Sequence, residues 1–176
     1  PKEQIVQLSA FEVSSDKDKG YSSSHAIGAT RTDTPLNELP QSITVINKQY
    51  IRDWLPDNVD AAGKYVAGVT DAPTQLIRGL SGISPAIDGL STHGVFDMSL
   101  FDRVEFLKGP SSIIYGDGVK SGVISRATKK PLFNRPYNRV DLDIGSWSYF
   151  RATLDTTRPF GANNQFSYRF VGSVLE

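Results

Sequence analysis

The 176-residue chain has no cysteine and only two histidines, His25 and His93. A disulfide framework, a cysteine-ligated zinc site and a thiol nucleophile are thereby excluded. An excess of one charge is missing too. Nineteen Lys and Arg balance nineteen Asp and Glu, with a pI near 7.3, so no global field draws nucleic acid or an anionic surface. No apolar run approaches the roughly 20 residues of a spanning helix, so any crossing of a membrane has to be made by strands. What is present, 39% hydrophobic and 22% charged residues, suffices for a packed core in one or two domains.

The chain opens at Pro1 without a cationic-then-apolar leader, and Gln165 to Leu175 read as a strand still in progress. A processed start and a longer parent protein are expected. The apolar burst Ile5-Val6-Gln7-Leu8 precedes a small-polar, mixed-charge stretch, so residues 1–29 are expected to be a flexible N-terminal segment. Residues 42–46 form a β-branched strand. Asn47 then caps a helix carrying Tyr50, Ile51, Trp54 and Leu55, which Pro56 ends. Val59, Ala62, Tyr65 and Val66 repeat at helical spacing up to Gly68, and Trp54 and Tyr65 are expected in the core. From Val69 to Pro131 short β-like pieces separated by Gly, Pro and Ser predict an α+β unit. Within residues 101–131 Arg103, Lys108, Lys120, Arg126, Lys129 and Lys130 outnumber Asp102, Glu105 and Asp117, a pattern expected of a solvated face.

After a junction at 132–136 the period becomes two. Val140, Leu142 and Ile144 alternate with Arg139, Asp141 and Asp143; Phe150, Ala152 and Leu154 alternate with Arg151, Thr153 and Asp155. Phe166, Tyr168, Phe170 and Val174 oppose Ser167, Arg169 and Ser173 in a third run. Matching the faces predicts a three-residue loop at 146–148, with Asp143 opposite Arg151 and Arg139 opposite Asp155. A half-buried sheet of a soluble sandwich gives the same string as an outer-membrane barrel with lipid outside and charge inside. Aromatic residues near the strand ends, Tyr137, Trp147, Tyr149, Phe160 and Phe166, favour the barrel.

Enzyme motifs fail at defining positions. In residues 115–123 Ser121 stands where the dinucleotide pattern needs glycine, and no glycine directly precedes Lys120 as a Walker loop requires. Ser91, His93 and Asp97 fall within one loop without a nucleophile elbow, and Asp141 and Asp143 lack the rest of a calcium loop.

The order of segments resembles the plug domain and first barrel strands of a TonB-dependent outer-membrane receptor, most like its siderophore-receptor branch. Residues 30–51, Ile77-Arg78-Gly79-Leu80, Ala86 to Leu90, residues 102–131 and the hairpin at 143–160 carry that resemblance. It implies an α+β plug at 30–131 with a small mixed sheet, then three antiparallel strands at 137–176 of an incomplete transmembrane β-barrel of about 22 strands. Gln4, Ile5, Val6, Gln7, Leu8 and Ser9 look like a Ton box that couples to the TonB complex by adding a strand to its sheet. Arg78, Gly79, Asp88, Gly89, Arg103, Glu105, Lys108, Gly109, Tyr115 and Gly116 are implied to serve plug architecture and gating. Loops 71–76, 81–85 and 91–97 point to Gln75, Ser84, His93 and Phe96 as ligand contacts. The family implies TonB-dependent uptake of a ferric siderophore or similar chelate across the outer membrane of a Gram-negative bacterium. It further implies a plug inside the barrel, the N-terminus in the periplasm, and outer-membrane lipid around the wall. No cofactor, metal site, nucleic-acid partner or enzymatic activity is expected. The departures at Ser121-Gly122 and Ser125-Arg126 bear on subfamily and ligand. The alternatives are a soluble periplasmic plug-like interaction module and a nucleotide-using enzyme built around the glycine-rich stretch.

Overall fold

The computed structural model describes residues 18–70, 75–109, 115 and 121–176. The Ton-box residues 4–9, Gly116, Asp117 and Lys120 lie outside the described residues. Two short strands, β1 (His25–Ala26) and β2 (Thr34–Pro35), pair antiparallel, and β3 (Ser42–Ile46) follows as its β-branched run predicts. Asn47 caps α1 (Lys48–Trp54), its side-chain oxygen accepting the Tyr50 N–H at 3.0 Å. Asn58 caps α2 (Val59–Gly63) in the same way.

Two expectations fail in this region. The second helix ends at Gly63 rather than Gly68, because a weak helix former stands there and the chain tightens, Val66 N–H donating to the Gly63 carbonyl at 3.0 Å. Trp54 and Tyr65 are 51% and 63% exposed. Ile51, Val59 and Ala62 fill the core in their place, while Trp54 stacks on the half-buried Tyr50 and meets Tyr65 at a tilt, with centroids 5.7 and 5.1 Å apart.

β4 (Val69–Thr70) pairs with β5 (Leu76–Ile77). β6 (Ile83–Ile87) and β7 (Leu90–Ser91) form a hairpin whose two turn residues, Asp88 and Gly89, have φ of 48° and 83°. Asp-Gly is the pair that such a turn favours. β8 (Phe101–Lys108) and β9 (Gly122–Thr128) complete a sheet of order β3-β8-β9-β6-β7, in which β6 and β9 run parallel and the other neighbours antiparallel. The predicted mixed sheet is therefore present.

Both faces of β8 are covered. Phe101, Val104 and Phe106 pack with Ile46, Ile51, Val59 and Ala62 on the helix side. Leu107 and Val123 pack with Ala29 and Ala86 on the other. Ala26, Ile27 and Ala29 are buried, so the segment expected to be flexible is packed from about His25 onward.

β10 (Tyr137–Ile144), β11 (Phe150–Phe160) and β12 (Phe166–Leu175) form an antiparallel sheet with the register that parity requires: Asp143 faces Arg151, Arg139 faces Asp155, and Val140 faces Leu154. Residues 146–148 make the turn. Its polarity is inverted relative to a soluble sheet. Val140, Leu142 and Ile144 are exposed at 66%, 65% and 83%, whereas Arg151 and Asp155 are buried.

Candidate functional site

The central strand β8 holds the N-terminal segment through charge. Glu105 accepts the Ile27 N–H at 3.0 Å and the Gly28 N–H at 2.6 Å. Arg103 sits 3.5 Å from Glu105, donates to both carboxylate oxygens of Asp18 at 3.1 and 3.0 Å, and donates to the His25 carbonyl at 3.2 Å. Burial pushes the Glu105 carboxyl up, against the pull of the two N–H donors and Arg103. The chain approaches so closely that a Cβ on Gly28 would lie 2.8 Å from the Glu105 carboxylate and 2.9 Å from the Ser125 Cβ. Tyr115 closes the cluster, its hydroxyl donating to the Gly28 carbonyl at 2.7 Å. The space among these residues, about 20 Å³, holds at most a water-sized guest.

Of the other described residues assigned to plug architecture, Asp88 and Gly89 border the same small space, and the rest lie elsewhere. Asp88 accepts from the Thr128 hydroxyl at 2.6 Å and from Lys130 at 2.9 Å, tying the β6–β7 turn to the end of β9. Lys108 donates to Thr44 at 2.9 Å, and burial pulls its ammonium down. Gly109 donates its N–H to the Ser121 carbonyl at 2.9 Å. Arg78 and Gly79 form an exposed turn with φ of 54° and 76°. The expected solvated basic face is corrected here. Arg103, Lys108 and Arg126 are buried, because backbone groups and side chains distant in sequence supply their partners.

A cavity of about 330 Å³ opens between residues 81–83, 93–96 and the start of α2. Of the four expected ligand contacts, Gln75, His93 and Phe96 line it and Ser84 does not. Ile83 and Pro85 take the cavity face of β6, and strand alternation turns Ser84 the other way. Ile124 and Arg126 of β9 complete the wall. Arg126 is a residue that sequence reasoning left on a solvated face. It is 3% exposed, donates to the Ala86 and Thr92 carbonyls at 3.3 and 3.0 Å, and lies 5.2 and 5.7 Å from the Phe96 and Phe101 ring centres. The signal was a cation two residues after Ile124, on the strand face that Gly122 and Ile124 bury.

Strand register separates two ends of the plug. Ser42, Lys108, Gly122 and Ile83 align at one end, where residues 81–83 border the cavity. Phe101 and Thr128 align at the other, and there Asn47 donates to the Gly20 carbonyl at 2.9 Å while Arg103 holds Asp18. The N-terminal segment thus leaves the sheet at the end away from the 81–83 loop.

The charged face of β10–β12 meets the plug. Arg151 pairs with Asp97 at 2.5 Å and Asp57 at 3.4 Å. Asp155 takes Lys129 at 3.0 Å and Arg169 at 2.8 Å. Burial pulls the Lys129 ammonium down, and Asp155 opposes that pull. The register predicted from parity holds, yet the charges it sets opposite each other bond elsewhere: Arg139 pairs with Asp141 of its own strand at 2.6 Å, and Arg151 and Asp155 turn to plug residues. Among the described residues no group of three or more His, Asp and Glu is placed to hold a metal ion.

Comparison with known proteins bears on this architecture. The family model for the TonB-dependent receptor plug domain matches residues 35–123. The metal-pseudopaline receptor CntO of Pseudomonas aeruginosa is 30% identical over 86% of the chain and 23% of its own length. The ferrichrome outer membrane transporter/phage receptor of Escherichia coli is 26% identical over 98% of the chain and 26% of its own length. A crystal structure of the ferripyoverdine receptor of the Pseudomonas aeruginosa outer membrane, bound to ferripyoverdine, superposes with a TM-score of 0.81 at 29% identity, covering 90% of the chain and 23% of the receptor. The chain therefore spans about a quarter of the length of these proteins.

Proposed function

Because this chain belongs to the TonB-dependent receptor plug-domain family, we propose that it forms the plug and first barrel strands of an outer-membrane receptor that imports a metal chelate, most simply a ferric siderophore. The observation that carries the proposal is the inverted polarity of β10–β12. Their apolar side chains point away from the molecule, and Arg151 and Asp155 on their charged face pair with plug residues. Lipid outside and a plugged polar lumen inside require that arrangement. A soluble periplasmic module would bury the apolar face, so the alternative is not favoured.

In this reading the plug comprises residues 30–131, residues 132–136 join it to the wall, and residues 137–176 begin the barrel. The 81–83 and 93–96 loops face outward, where Gln75, His93 and Phe96 meet the chelate. The N-terminus faces the periplasm, and residues 4–9 pair as an added strand with TonB. A pull on that segment is delivered to Asp18, His25, Ile27 and Gly28, the groups that Arg103 and Glu105 hold. The step moves a bound chelate and makes or breaks no covalent bond.

Cells limited for iron and lacking this gene should lose uptake of radioactive iron supplied as one of a panel of ferric siderophores. The polypeptide should reside in the outer-membrane fraction. A polypeptide recovered wholly in the soluble periplasmic fraction contradicts the proposal.

A further inference from the structure

Arg126 is a buried cation with no ion pair among the described residues, the exposed Asp60 alone attracting it through space. Arg103, Arg151, Arg169 and Lys129 each pair with an Asp or Glu. Arg126 makes no such ion pair among the described residues; its donors go to two backbone carbonyls and its face to two phenylalanine rings. These neighbours stabilise the guanidinium without neutralising it.

The charge nevertheless borders an open cavity. Asp60 shares the wall but is exposed, so water and salt screen it. Arg126, at 3% exposure, is screened far less, and its field extends into the space that His93 and Phe96 also line. At about 330 Å³ the cavity is at the lower limit of small-molecule sites. It therefore receives one arm of a chelate rather than the whole.

We propose that Arg126 makes this cavity an anion-selective subsite, which takes a carboxylate or phenolate group of the chelate against the Arg126 guanidinium, with His93 as a second donor at its mouth. The proposal rests on the reading of the cavity as the ligand-facing end of the plug and adds to it the charge class of the ligand. Phe96 gains a role as well. Stacked on Arg126, it is held in place by the same group that selects the anion.

The test uses the full-length receptor in detergent and two probes, a trianionic ferric tris-catecholate and a neutral ferric tris-hydroxamate, titrated at two salt concentrations. The unaltered receptor should bind the anionic probe more tightly, with an advantage that largely survives the higher salt because Arg126 is buried. In Arg126→Met the anionic probe should lose about tenfold or more in affinity relative to the neutral one. Arg126→Lys should retain part of the preference, since charge survives and the planar fork does not. The neutral probe reports whether each variant is folded. Equal weakening of both probes in Arg126→Met, or a preference of the unaltered receptor for the neutral probe, overturns the proposal. Ile83→Trp, which enlarges a side chain on the cavity face of β6, separates the two levels. If it leaves both affinities unchanged, the cavity is not the ligand site and the underlying reading falls. If it weakens both while Arg126→Met leaves their ratio unchanged, only the anion-selective role falls. Binding of neither probe by the unaltered receptor contradicts both.

Discussion

Asp88 shows how one carboxylate joins a turn to a strand. Burial raises its pKa, but the Thr128 hydroxyl and the Lys130 ammonium outweigh burial and hold it below the ordinary 3.8. A depressed carboxylate contributes stability that is fully present above its unfolded pKa and is lost as pH falls through the folded value. Asp88→Asn keeps a residue suited to the left-handed turn position and removes the charge. The variant should show a lower thermal midpoint at neutral pH and a flatter loss of stability between about pH 5 and pH 2, followed by thermal unfolding of the receptor across that range. Parallel acid profiles for the two proteins would remove Asp88 from the account. At this scale the sequence was legible in part. Asp88-Gly89 is a turn signal in itself, and Arg103 and Glu105 were placed in plug architecture through family resemblance. Their burial was not legible, because the Glu105 donors, Ile27 and Gly28, lie more than seventy positions away. A count of charges along residues 101–131 cannot see such a lid.

Among the elements, the strands were more readable than the helices. Period two fixed which residues of β10 and β11 share a face, and parity fixed a register that the structure reproduces pair by pair. The ion partners escaped the same reasoning because they lie on the plug (Asp97, Asp57 and Lys129), on β12 (Arg169) or two residues along the same strand (Asp141). Asp155 lies between Lys129 and Arg169 with all three side chains largely buried. Asp155→Asn leaves two cations without a counter-charge and should destabilise the docked plug by about 3–5 kcal/mol. Adding Lys129→Met should recover part of that loss, because one of the two unpaired charges is removed. Calorimetry of the receptor in detergent measures both, and a single variant as stable as the parent would mean that the pair contributes no net stability. For α2, helical spacing suggested a longer helix, but spacing alone does not show that the chain tightens after Gly63 and turns Tyr65 to the surface.

Across the whole molecule, two features face opposite ways along the plug sheet. The 81–83 loop and its cavity lie at one end, and the chain enters from residues 18–20 at the other. Around them, β10–β12 present apolar side chains outward. In the proposed function the groups that take the pull, Asp18, His25, Ile27 and Gly28, are different residues from Gln75, His93 and Phe96, which meet the chelate. The separation makes the two functions independently removable. The most direct measurement deletes residues 3–10 from the full-length receptor and compares, in the same cells, surface binding of a radioactive ferric siderophore with its accumulation inside. The account predicts binding retained within about twofold and accumulation reduced to that of a receptor-less strain. Accumulation that continues at the parental rate would contradict coupling through this segment.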